Sequence, residues 1–121
     1  MLVTILVVED DAATSEFLVD LLSFAGYATR VAASGGAAFG IVRTHPASVV
    51  LLDRHLPDMD GLAVCRQIRQ RIDPTVPVIL LTADYSAELE AAARDAGVTA
   101  YLSKPFLPDV LLDRVAALVQ V

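Results

Sequence analysis

Apolar residues gather in short unbroken runs. Each run gives way to a polar cluster and then to a segment with helical spacing. Residues 3–8 (VTILVV) form the first run and read as a buried strand. Asp11 can cap the helix behind it, with Leu18, Leu21, Leu22 and Ala25 on one face and Gly26 as C-cap. Residues 27–32 read as a second strand. Ser34 can cap a helix that runs to about residue 43, and Pro46 stops its continuation. Residues 49–53 (VVLLD) are the third strand. Asp60-Gly61 opens a helix to about residue 71, with apolar positions Leu62, Val64, Cys65 and Ile68. Residues 77–82 (PVILLT) are the fourth strand, residues 86–96 an alanine-rich helix closed by Gly97, and residues 99–102 the last strand. Leu107 or Pro108 begins the final helix.

Strand and helix therefore alternate five times, and the strands are continuous apolar runs. This predicts an α/β fold: a parallel sheet with helices on both faces. The right-handed crossover rule favours a five-stranded, doubly wound arrangement. The 121 residues make one domain, 1–121, long enough to bury a core unaided.

Composition narrows the function. Hydrophobic residues make up 55% of the chain, which excludes disorder. The net charge of −6 makes nucleic acid a poor direct partner. A single cysteine cannot form an internal disulfide, and Cys65 reads as core. No apolar run is long enough to span a bilayer, and the first residues lack a charged n-region and cleavage site. The expectation is a soluble, cytoplasmic protein with no membrane partner. The nine basic residues include one lysine, Lys104. Either an amine is needed there or codon usage left a single lysine; composition leaves both open.

In doubly wound sheets, ligands sit at the C-terminal ends of the strands. Glu9 and Asp10 follow the first strand, Asp53 ends the third, Thr82 ends the fourth, and Lys104 follows the fifth. Carboxylates about 4 Å apart repel by roughly 4 kcal/mol at an effective dielectric near 20. Such a cluster calls for a cation, and a hard divalent ion such as Mg²⁺ suits carboxylates, waters and phosphate oxygens. Carboxylates also act as nucleophiles toward phosphorus. In that chemistry Asp53 would attack, while Lys104 and the Thr82 hydroxyl take the product's oxygens. Each residue also has a plainer reading: Asp53 as a turn residue, Glu9-Asp10 as acids at a helix start, Thr82 as a strand former, Tyr101 as sheet packing.

Four motifs, ILVVEDD, LLDRHLPDMDG, LLTA and YLSKPF, stand in order along the chain. Together they resemble the receiver domain of two-component response regulators, over essentially its whole length. The resemblance implies a flavodoxin-like sheet of strand order 2-1-3-4-5 with five helices. It implies that Asp53 is the phospho-acceptor, receiving its phosphoryl group from a sensor histidine kinase or phosphotransfer protein. It implies Mg²⁺ held by Asp10 and Asp53, by Glu9 through water and by the backbone carbonyl of His55. Thr82 would be the switch hydroxyl, Tyr101 the switch aromatic, and Lys104 the bridge between carboxylate and phosphate, with a cis Lys104-Pro105 bond aiming it inward. Pro57 and Gly61 would shape the loop after Asp53. No turnover of an outside substrate is implied, only self-phosphorylation and self-dephosphorylation. The readout would be the face of the fourth helix, fifth strand and fifth helix. A homodimer could use that face through Leu107, Val110, Leu111 and Val115. The acidic residues that the winged-helix DNA-binding subfamily carries there are replaced by Val98-Thr99-Ala100 and Val110.

Two other functions share the architecture. A flavin or nucleotide binder would need glycine- or hydroxyl-rich loops where this chain has EDD and DRHLPD. A phosphatase with an aspartate nucleophile would need a second Asp where His55 stands. His45 and His55 have no partner in the sequence and read as surface residues. His55 and Asp84 lie two beyond Asp53 and Thr82, at variable positions that in this family tune phosphoryl loss. SGGAAFG (residues 34–40) lacks the phosphate-loop lysine and reads as a helix start. Arg66, Arg69 and Arg71 read as a solvated basic face.

Overall fold

In a computed structural model, residues 3–84 and 86–119 are described. Ten elements alternate along the chain: β1 (Thr4–Val8), α1 (Ala12–Phe24), β2 (Ala28–Ala32), α2 (Gly35–Thr44), β3 (Val49–Asp53), α3 (Gly61–Arg71), β4 (Val78–Thr82), α4 (Ala87–Ala96), β5 (Ala100–Ser103) and α5 (Pro108–Leu118). The strands form one parallel sheet in the order β2-β1-β3-β4-β5. This is the expected topology, with most boundaries within one residue of expectation. The central strands β3 and β4 are buried at every position, which is why their sequences show no alternation.

Two apolar layers hold the helices to the sheet. On one side Ile5, Val7, Val49, Leu51, Ile79 and Leu81 pack against Leu18 and Leu22 of α1 and Leu111 and Val115 of α5. On the other, Leu6, Val8, Val50, Leu52, Val78 and Leu80 meet α2, α3 and α4 through residues such as Val42, Ile68 and Ala93. Cys65 is fully buried in this second layer, and burial raises its thiol pKa. Two expectations need correction here. Ala25 is exposed: it is the α1 C-cap, outside the buried stripe, and the left-handed residue is Gly26, one further on. Leu111 and Val115 are 0% exposed because they hold α5 to the sheet, so they cannot line an outer face.

The helix starts follow the sequence signals. Asp11, Ser34, Asp60 and Ser86 each accept a backbone N–H of the following first turn. α5 has Pro108 in its first turn and no side-chain cap. Arg69 departs from the solvated reading. Its Nε donates to the Gly97 carbonyl at 2.9 Å, strapping α3 to the turn after α4.

One clamp was not anticipated. Asp58, in the loop after β3, accepts from Gly35 N at 2.9 Å and Gly36 N at 3.0 Å, at the start of α2. These bonds hold its carboxyl below the usual range. A carboxylate with a depressed folded-state pKa adds stability above the unfolded pKa and loses it as pH falls through the folded one. Asp58→Ala is therefore expected to lower the urea midpoint at neutral pH. The gap to the unsubstituted protein should close as pH drops below the carboxylate range. Parallel urea titrations across pH check this, and a pH-independent gap would contradict it.

Candidate functional site

The sheet's twin apolar layers end together at one edge, and the polar residues begin there. Val8 pairs with Leu52, and the next residues along are Glu9 and Asp53. Thr82 pairs with Ser103, and Lys104 N donates to the Thr82 carbonyl at 2.7 Å. The hydrogen-bond register of β1, β3, β4 and β5 thus fixes the spacing of the side chains above it. Among the described residues Glu9, Asp53 and Thr82 are the buried polar ones, at 3%, 6% and 1% exposure.

The Lys104 ammonium lies across this edge. Nζ donates to Asp53 Oδ1 at 3.0 Å and to Glu9 Oε1 at 3.2 Å. Asp10, exposed at the rim, joins them: oxygens of Glu9, Asp10 and Asp53 all lie within 4.8 Å of one another. One ammonium against three carboxylates leaves the cluster net negative. Burial, then the Asp53 charge, pushes the Glu9 carboxyl up against the pull of Lys104. Burial also works against the Lys104 charge, but hydrogen bonds to Asp53 and Glu9 and their charges outweigh it and raise its pKa. Hard oxygen donors at this spacing, with residual negative charge, fit a small divalent cation such as Mg²⁺.

The loop after Asp53 is tightly folded. Gly61 N donates to the Arg54 carbonyl at 2.7 Å, and His55 and Asp60 form an isolated antiparallel bridge. A Cβ on Gly61 would overlap the Asp53 carbonyl oxygen and come within 2.9 Å of Arg54 Cα. Glycine at that position lets the chain turn back against the end of β3. The Lys104-Pro105 bond is cis, as expected.

The remaining candidates sit around this cluster. The Thr82 hydroxyl is held within its own turn, accepting from Asp84 N at 3.1 Å and donating to Asp84 O at 3.3 Å. Tyr101 is half-buried, packs against the second apolar layer and lines a groove of about 790 Å³ between α4 and α5. His55 is exposed, with Nε2 3.4 Å from Asp84 Oδ2, so it has the partner that sequence alone did not reveal. His45 is exposed beside Thr44 Oγ1 at 2.8 Å. Sequence reasoning overlooked Arg54, which lies 3.7 Å from both Asp60 and Asp84. The available signal was an arginine placed directly after the strand-end carboxylate.

The comparisons with known proteins agree with this fold. The profile of the response regulator receiver domain matches residues 5–116, and the chain belongs to that family. It is 42% identical to the response regulator MprA of Mycobacterium sp. (strain KMS) over 120 residues, which is 99% of this chain and 52% of that protein. MprA of Mycobacterium tuberculosis (strain ATCC 25177 / H37Ra) matches equally, at 42%. The chain spans about half the length of the curated relatives it matches. Among solved structures, a CheY-like receiver domain protein from Methanospirillum hungatei superposes with a TM-score of 0.91 at 30% identity, covering 97% of this chain and 93% of that one. The receiver domain of a sensor histidine kinase from Pseudomonas aeruginosa superposes at 0.89 with 29% identity, covering 98% of both. That structure holds a magnesium ion in its active-site cleft. The chain is thus a receiver domain of two-component signalling, a family whose general role is to accept a phosphoryl group. Among the described residues no helix is long and apolar enough to cross a membrane.

The raised Glu9 pKa has a measurable consequence. A carboxyl with a raised folded-state pKa favours folding while protonated, and that stability is lost as pH rises through the folded value. Glu9→Gln is expected to raise the urea midpoint at neutral pH in the presence of a chelator. An unchanged or lower midpoint would show that the Lys104 contact offsets or outweighs burial and the Asp53 repulsion together.

Proposed function

We propose that residues 1–121 act as one receiver domain, in the cytoplasm, with Asp53 as its phospho-acceptor. The donor is a phosphohistidine of a sensor histidine kinase or a phosphotransfer protein. The observation that carries the reading is the Lys104 ammonium spanning the buried carboxylates of Asp53 and Glu9 at 3.0 and 3.2 Å.

A carboxylate oxygen of Asp53 attacks phosphorus. The new O–P bond forms as the P–N bond to the donor histidine breaks, and the leaving nitrogen keeps the electron pair. Lys104 meets the charge gathering on the phosphoryl oxygens. The Thr82 hydroxyl leaves its own turn to donate to one of them, and Tyr101 moves into the space it vacates. Asp10 and Asp53 would hold Mg²⁺ directly, Glu9 through water, and His55 through its backbone carbonyl. The ion supplies charge neutralisation for the incoming phosphoryl group. The phosphoryl group binds Thr82 and Lys104 better in the active arrangement and so shifts the population toward it.

The readout is the face formed by α4, β5 and α5, where Leu107 and Val110 are exposed at 70% and 40%. A homodimer through that face would use those two residues. The domain itself makes no direct nucleic-acid contact, and its only catalysis is its own phosphorylation and dephosphorylation.

Acetyl phosphate with Mg²⁺ is expected to add one phosphoryl group, read by intact mass. Asp53→Asn should remain unlabelled, and labelling at the unsubstituted level would overturn the acceptor assignment. Asp10→Ala is expected to abolish Mg²⁺ binding in a titration; unchanged affinity would remove Asp10 from the ligand set.

A further inference from the structure

Two loops meet at the rim of the acidic pocket, one after Asp53 and one after Thr82. The first presents Arg54 and His55, the second Asp84. Arg54 Nη1 stands 3.7 Å from Asp84 Oδ2, and His55 Nε2 stands 3.4 Å from the same oxygen. The backbone of Asp84 is what holds the Thr82 hydroxyl, taking it as acceptor at 3.1 Å and as donor at 3.3 Å. One residue therefore connects a rim ion pair to the hydroxyl below it.

The Arg54 end of this connection is firmly mounted. Its N–H donates to the Leu81 carbonyl at 3.0 Å, and its carbonyl accepts from Gly61 N at 2.7 Å. Its guanidinium is held far less firmly. Nε is buried with no hydrogen-bond partner among the described residues and lies 3.7 Å from Asp60 Oδ2. An unsatisfied buried donor and ion pairs too long for hydrogen bonds describe a contact that opens at little cost.

We propose that Arg54 and Asp84 form a latch that keeps the Thr82 hydroxyl in its own turn, and that the latch opens for the hydroxyl to reach a phosphoryl group on Asp53. Arg54 is a positioning residue: it acts on Thr82 through Asp84. The inference rests on the phospho-acceptor reading given above. Its sign is distinctive. A cation at the rim of an anion-binding pocket would ordinarily aid the donor's approach, so its removal would slow labelling. A latch predicts the opposite.

The test measures labelling by acetyl phosphate and Mg²⁺ at subsaturating donor. Arg54→Ala and Asp84→Asn are each expected to speed labelling about two- to five-fold, the range an exposed ion pair commands. The double substitution should give no more than the larger single effect, and the gain should vanish in a Thr82→Ala background. Slower labelling in Arg54→Ala alongside faster labelling in Asp84→Asn would reveal simple charge effects. Additive gains, or gains that persist without Thr82, would equally overturn the latch. A second readout needs no phosphoryl chemistry. Amide exchange of Asp84, measured by NMR, should accelerate in Arg54→Ala, and an unchanged rate would also overturn it. If the unsubstituted protein takes no label but Asp84 exchange responds to Arg54→Ala, the acceptor reading fails and the latch stands.

Discussion

The ammonium of Lys104 between two buried carboxylates is the contact on which the rest of the site depends. Neither acid would be tolerated in that place as a bare charge, since removing an ion from water is costly unless it is paired. The lysine comes from the fifth strand's end and its partners from the first and third, so no local segment could make the contact. It exists because two apolar layers fix the strand register and leave the polar ends side by side. The pairing is also incomplete, because three acids share one amine. The pocket is left with a standing appetite for positive charge.

Around that contact the structure divides into a fixed part and a yielding part. Asp53 is the last residue of a strand with every position buried, and its loop is tied by Gly61 to Arg54 and by Asp58 to the start of α2. Thr82 ends an equally buried strand, but among the described residues its hydroxyl bonds to the turn that follows. A rigid carboxylate beside a hydroxyl with a local alternative partner is the arrangement in which a small ligand can shift a population.

Most of the architecture was legible in the sequence. The runs VTILVV, VVLLD and PVILLT announce strands through apolar continuity, and Asp11, Ser34, Asp60 and Ser86 announce the helix starts. The convergence of Glu9, Asp10, Asp53 and Lys104 followed from topology alone, because parallel strands deliver their ends to one edge. Side-chain partnerships that depend on loop shape did not follow. Nothing in the sequence singles out Asp58 until the α2 start is seen opposite it, and Arg69 reads as solvated until Gly97 is seen within its reach. Leu111 and Val115 show the same limit: an apolar stripe does not say whether it faces the sheet or the outside.

Gly61 carries no functional group, yet the end of β3 rests against it. Any larger residue would press first on the peptide that bears the Asp53 carboxylate. In a saturation scan this position should therefore behave like a member of the reactive centre. Its intolerance would come from steric contact with the main chain of Asp53 itself, and a screen that scores only chemistry would mistake a spacer for a participant.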